Sequence, residues 1–157
     1  MAETGLNPER LTTVPLWTAR VSVAAMEELG AGPRGRRFVV PITGGSFEGD
    51  PAAEVFGPVP SGLVRAGGFD LQWLRPDGVK ELEALYHVET GDGVVLEIRN
   101  RVLLDYDAAG ALSYGRSRIE VVAPEGRYDW LNRRMIVGSL QGDPEHRQAV
   151  IRAWVLC

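Results

Sequence analysis

Residues 69–104 read FDLQWLRPDGVKELEALYHVETGDGVVLEIRNRVLL. Two tight-turn signals, Pro76-Asp77-Gly78 and Gly91-Asp92-Gly93, divide this stretch, and each places glycine where a hairpin needs a positive φ. Between the turns Leu82, Ala84, Tyr86 and Val88 alternate with Glu81, Glu83, His87 and Glu89, the two-residue period of an extended strand with one apolar face. Beyond the second turn Val94, Leu96, Ile98, Asn100 and Val102 oppose Glu97, Arg99 and Arg101 in the same way. Three antiparallel strands joined as a meander follow, and Tyr86 and Asn100 fall on the apolar faces. A tyrosine hydroxyl and an asparagine amide in an interior need partners, which the protein, a water or a ligand must supply.

The same rhythm extends outward in both directions. Glycine and proline recur about every ten residues, separated by short runs rich in valine, isoleucine, leucine and aromatic residues. Candidate strands cover residues 16–24, 36–41, 46–56, 69–75, 79–90, 93–104, 112–122, 133–140 and 148–156. The helix-like pieces are the AAMEELG stretch around Met26 and a turn over residues 128–132. The expected architecture is all-β: a single closed or nearly closed antiparallel barrel of about eight to nine strands with one or two short helical turns, since closure removes exposed sheet edges. A sandwich is the competing arrangement. Residues 16–157 form the expected barrel domain, preceded by a flexible N-terminal segment, residues 1–15.

Composition bounds the function. A chain of 157 residues fits one domain and buries roughly two thirds of its unfolded surface. Net charge is −4 with both signs mixed along the chain, so no basic stripe exists to neutralise a phosphate backbone, and nucleic acid is not an expected partner. Cys157 is the only cysteine, which excludes an intrachain disulfide framework or thiolate metal cluster. No apolar run approaches the ~18 residues of a membrane span and the N-terminus lacks a leader pattern, so the expectation is a soluble, cytoplasmic, bacterial-type protein without membrane contact. Oligomeric state is left open, a homo-oligomer included. Every basic residue but Lys80 is an arginine. Lys80 follows Pro76-Asp77-Gly78 and reads as an exposed hairpin edge, which argues against amine catalysis.

Matches to standard catalytic motifs fail on context. Gly30-Ala31-Gly32-Pro33-Arg34-Gly35 fits GxGxxG, but it precedes a strand instead of opening a helix, and Pro33 has no N–H to give a pyrophosphate. Gly44-Gly45-Ser46-Phe47-Glu48 lacks the last glycine of a nucleophile elbow. His87-Val88-Glu89 lacks the cysteines of a deaminase zinc site, and His146 lies in a polar loop, so no metal or cofactor is expected. In residues 69–75, Phe69, Leu71 and Trp73 form one face and Asp70 and Gln72 the other. Facing inward, Asp70 is a carboxylate with a raised pKa and a candidate acid or base; facing outward, it is merely solvated.

The ordered segments PRGRRFVVPITGGSFEG, GGFDLQWLRPDGVKELEALYHVETGDG, IRNR and YDWLNRRMIVG resemble the domain-of-unknown-function 3237 family, also catalogued as an uncharacterised protein family, over nearly the whole chain. The resemblance implies a small β-barrel and no settled activity. Its recurrent polar and aromatic positions fall on Arg36, Thr43, Glu48, Asp70, Tyr86, Asn100, Trp130 and Asn132. Two departures stand out: Leu71 occupies a place where the family often has tryptophan, leaving Trp73 as the ring placed to fill that space, and residues 57–66 read as an insertion. The chemistry these groups suit is binding of a small apolar organic metabolite inside the barrel and cofactor-independent acid–base turnover, as an isomerase, cyclase, hydratase or lyase. Asp70 or Glu48 would move the proton, Tyr86 and Asn100 hold a developing oxyanion, and Arg36, Thr43, Trp73, Trp130 and Asn132 complete the ligand site. The alternatives are a lipocalin-like carrier that binds without turnover, and a scaffold whose interior is filled with side chains.

Overall fold

The alternation of Lys80–Thr90 leaves Leu82, Ala84, Tyr86 and Val88 buried, and the inner faces of its neighbours join the last three to form the main core. The computed structural model of the protein describes residues 7–157. Ten strands follow in chain order: β1 (Thr13–Val23), β2 (Glu27–Gly32), β3 (Gly35–Gly49), β4 (Gly62–Val64), β5 (Phe69–Leu74), β6 (Lys80–Thr90), β7 (Val95–Tyr106), β8 (Leu112–Val122), β9 (Ile136–Asp143) and β10 (Gln148–Leu156). All pairings are antiparallel. The order β1-β10-β9-β8-β7-β6 continues through β5 to β3, and β3 pairs back onto β1, which closes an eight-stranded barrel. Strand β4 fills a second short stretch between β3 and β6, and β2 pairs with β3 alone. The meander of residues 69–104 is β5-β6-β7, with Thr90 and Val94 closing the second turn through N–H to O=C at 2.9 Å.

Closure depends on the length of β3. Its first half lies between β2 and β5, its second between β1 and β4, and the change comes at Gly44-Gly45 with φ of +149° and +135°. Residues with a Cβ rarely adopt these values, so the pair lets one strand bend into two neighbourhoods.

Three local expectations are corrected. AAMEELG contains a strand, β2, because the open edge of β3 offers it backbone partners while Met26 and Leu29 have no apolar face to bury against. The strand expected over 46–56 stops at Gly49: Asp50 accepts the Ala52 N–H at 2.9 Å, and proline then opens a 3₁₀ turn, Pro51–Val55. The stretch read as an insertion, where no strand was expected, carries β4. Strand β1 begins at Thr13, so only residues 1–6 of the expected flexible segment lie outside the described chain.

A second 3₁₀ turn, Asp129–Arg133, lies with the first at the same end of the barrel and helps plug it. Trp130 stacks on Phe56 with ring centroids 6.0 Å apart and donates Nε1–H to the Pro58 carbonyl at 2.8 Å. Ala53, Tyr128, Trp130 and Leu131 pack onto Leu16, Leu96 and Val155 as part of the main core. The opposite end carries hairpin turns and a small separate cluster, Leu82, Val102 and Leu104 with Leu140 against it. No helix among the described residues is long and apolar enough to cross a membrane.

Candidate functional site

Register sets the site. One inner row reads Val40, Asp70, Ala84, Asn100, Ile119 and Ile136 across β3, β5, β6, β7, β8 and β9; the next reads Phe38, Gln72, Leu82, Val102, Ser117 and Gly138. The polar face of β5 therefore looks inward, which decides the question the sequence left open. The first row carries Ala84, Ile119 and Ile136 of the main core, and the second carries Leu82 and Val102 of the small cluster at the unplugged end. Gln72, Asn100 and Ser117 are only 8, 1 and 5 % exposed, yet Asp70 Oδ1, Gln72 Oε1, Asn100 Oδ1 and Ser117 Oγ are shielded from solvent and lack any hydrogen-bond partner among the described residues. A buried polar atom without a partner costs about 1–3 kcal/mol, and the four within two adjacent rows call for hydrogens from a water or a ligand.

Ionisation follows from burial. Desolvation raises the Asp70 carboxyl from the usual carboxylate range to about 6, opposed by the Gln72 amide, which donates Nε2–H to Oδ2 at 2.7 Å, and by the charge of Lys80. Tyr86, one position deeper on β6, is held neutral: burial pushes its hydroxyl up, and Asp70 adds to the shift. Near neutral pH the site thus contains a carboxyl present in both protonation states, beside a protonated phenol and two primary amides.

At the rim Arg36 sits over Phe38, 5.3 Å from the ring centroid, and its Nε and Nη2 donate to Glu28 Oε1 at 3.0 and 2.8 Å. Lys80 approaches the same ring from β6, with Nζ 5.4 Å from the centroid. The expectation of an exposed lysine is therefore corrected: Lys80 shares the inner parity of Leu82, Ala84 and Tyr86, its neighbours on the adjacent strands are Leu74 and Leu104, and it is half-buried.

The fold brings Asp70, Tyr86 and Asn100 together, with Arg36 at the rim. It does not bring the other sequence candidates to them. Thr43 and Glu48 point outward from β3, Glu48 into a shallow surface hollow of about 400 Å³ with Arg20 and Arg152. Trp73 lies on the outer face of β5, where the Arg34 guanidinium stacks 3.8 Å from its ring centroid at one side of an external groove of about 770 Å³. Trp130 belongs to the plug, and Asn132 clamps the backbone there, accepting the Ala123 N–H at 2.8 Å and donating to the Ala123 carbonyl at 2.9 Å. Gln72, Ser117 and Lys80 join the site without having been singled out as its residues. The signal for Ser117 was present: Gly115, Ser117, Ile119 and Val121 alternate with Arg116, Arg118 and Glu120.

Known proteins share both sequence and fold. The family model described as Protein of unknown function (DUF3237) matches residues 11–156. A UPF0311 protein of Rhodopseudomonas palustris is 33% identical over 135 residues, covering 78% of this chain and 81% of the relative. The crystal structure of a conserved protein of unknown function from Rhodopseudomonas palustris aligns with a TM-score of 0.82 and 26% identity over 94% of this chain and 99% of the other. A β-barrel-like protein from Acinetobacter baumannii gives 0.81 at 24% identity over 98% and 100% of the two chains. A protein described as an enzyme from Penicillium herquei gives 0.71 at 19% over 98% and 99%, a likeness of fold alone. With the match spanning nearly the whole barrel, the chain belongs to the DUF3237 family.

Proposed function

We propose that the two polar rows inside the barrel bind a small organic molecule with an apolar body and carry out acid–base chemistry on it with protein side chains alone. The observation that carries this reading is the set of four shielded, partnerless polar atoms, one of them on a carboxyl that exchanges its proton near pH 6. Each such atom destabilises a packed core unless a water or a ligand partners it, and their grouping around Asp70 supports a ligand. Asp70 takes up or delivers the proton. Tyr86, kept neutral, and the amides of Gln72 and Asn100 steady charge that develops on the substrate. Phe38, Val40, Leu82 and Val102 supply apolar wall, and isomerisation, cyclisation, hydration or elimination are the reaction types that suit these groups. The fold likeness to an enzyme from Penicillium herquei supports catalysis in a barrel of this kind.

The test begins by equilibrating the protein with a bacterial metabolite extract and identifying what it retains by native mass spectrometry. On that compound Asp70→Asn is expected to lower turnover by at least ~100-fold, and Tyr86→Phe by a smaller factor, with both variants folded. A retained compound that emerges chemically unchanged would make the protein a carrier instead. Full turnover by both variants would remove Asp70 and Tyr86 from these roles.

A further inference from the structure

We propose that Lys80 is an amine nucleophile of this site, placed to form an imine with a carbonyl compound, an aldehyde or ketone whose oxygen is turned toward Asp70. The inference rests on the reading of the polar rows as a ligand site and names the class of molecule that site takes.

Placement comes first. Lys80 is the chain's only lysine, and its side chain leaves β6 on the inner face between Leu74 and Leu104. An exposed lysine extends its ammonium into water, whereas this one lies along the barrel rim over the Phe38 ring. The carboxylates that could hold it as a simple ion pair are engaged elsewhere. Glu81 takes Arg34 at 2.9 Å and Arg75 at 3.2 Å, Asp77 takes Arg75, and Glu28 takes Arg36. Among the described residues no carboxylate oxygen lies within 4.0 Å of the Lys80 nitrogen, and the charge it senses is Asp70, which is inward-facing and has its Oδ1 unpartnered. Burial lowers the Lys80 pKa, partly offset by Asp70, so its neutral form is more accessible than that of a solvated lysine.

The chemistry balances with these two groups. The neutral Lys80 nitrogen adds its lone pair to the carbonyl carbon; the carbonyl oxygen takes a proton from protonated Asp70, and the nitrogen gives one of its own back to the Asp70 carboxylate. The resulting carbinolamine hydroxyl, protonated through Asp70, leaves as water while the nitrogen forms the C=N bond as an iminium. Amine, carbonyl compound and one proton thus become iminium and water, with no oxidant or reductant. The iminium acidifies the adjacent C–H, which Asp70, then a carboxylate, can accept as a proton.

A single lysine makes the test unambiguous. The full chain is treated with benzaldehyde and sodium cyanoborohydride at pH 7, both folded and unfolded in urea, and the reduced benzyl adducts are mapped by peptide mass spectrometry. The expected result is at least ~10-fold faster modification of Lys80 in the folded protein, because burial lowers its pKa and leaves more of the amine neutral. Modification no faster than in urea overturns the proposal. Retention of a metabolite by the same protein in that case leaves the ligand site standing and removes only the amine chemistry; loss of both removes the site as well. Full turnover of an identified carbonyl substrate by a folded Lys80→Met variant would also overturn it.

Discussion

Gly45→Val is expected to cost the barrel at least ~3–4 kcal/mol, seen as a melting temperature lower by about 10 °C or more, or as a failure to fold. The position combines two constraints. Its φ of +135° is one that residues with side chains rarely adopt, and a Cβ there would stand 2.1 Å from the Arg20 carbonyl oxygen and 3.1 Å from its carbon. Those atoms are strand backbone, which cannot rotate away. Relief requires β1 to part from β3, and that seam, Val21 opposite Gly45, is the one that closes the barrel. Gly110→Ala is the control. It has φ +82° with nothing within 4 Å of the added carbon, so only the backbone term of about 1 kcal/mol applies. Equal effects from the two substitutions would show that the seam is not what holds the barrel shut.

Asp70→Asn is expected to stabilise the protein while disabling it. The carboxyl titrates at about 6 in the fold against 3.8 in the unfolded chain, so the folded state holds its proton more tightly. The stability this contributes is fully present below about pH 4 and is lost as pH rises through about 6. Above that the folded protein carries an ionised, half-buried carboxylate with Oδ1 shielded, a cost of about 3 kcal/mol for a difference of this size. The amide has no such charge. Thermal or urea unfolding should therefore find the variant about 2–3 kcal/mol more stable than the parent at pH 8, about 5–10 °C in melting temperature, with the difference vanishing near pH 4. A stability difference independent of pH would mean that Asp70 is solvated. Gain of stability on loss of a group is the signature of a residue kept for function.

The meander of residues 69–104 was legible because its two turns and its alternation agree, and the inner positions of Tyr86 and Asn100 followed directly. What alternation cannot supply is the handedness of β5, whose faces are three apolar and two polar residues. Only its pairing, Asp70 with Val40 and Ala84, turns the polar face inward. Lys80 was hidden for a related reason: a residue next to a hairpin turn reads as exposed, and its place on the inner row emerges only once Leu74 and Leu104 flank it. Glu48 and Thr43 share a strand with inward Ile42 and Phe47, yet the bend at Gly44-Gly45 resets the parity, so no count along the sequence could assign them. AAMEELG has a helical composition, and tertiary pairing with β3 overrides it. Trp130 and Asn132, expected in the ligand site, instead hold the plug through bonds to Pro58 and Ala123.

The chemistry of the site depends on Asp70 being a shielded carboxyl that exchanges its proton near neutrality inside the barrel. Its most direct test is a pH titration of the Asp70 side-chain carbon by ¹³C NMR, assigned by comparison with Asp70→Asn. The expected midpoint lies about two units above that of a solvent-exposed aspartate, at about 6. A midpoint at or below about 4 would place the carboxylate in water or in a strong ion pair, and the site described here would have no acid or base.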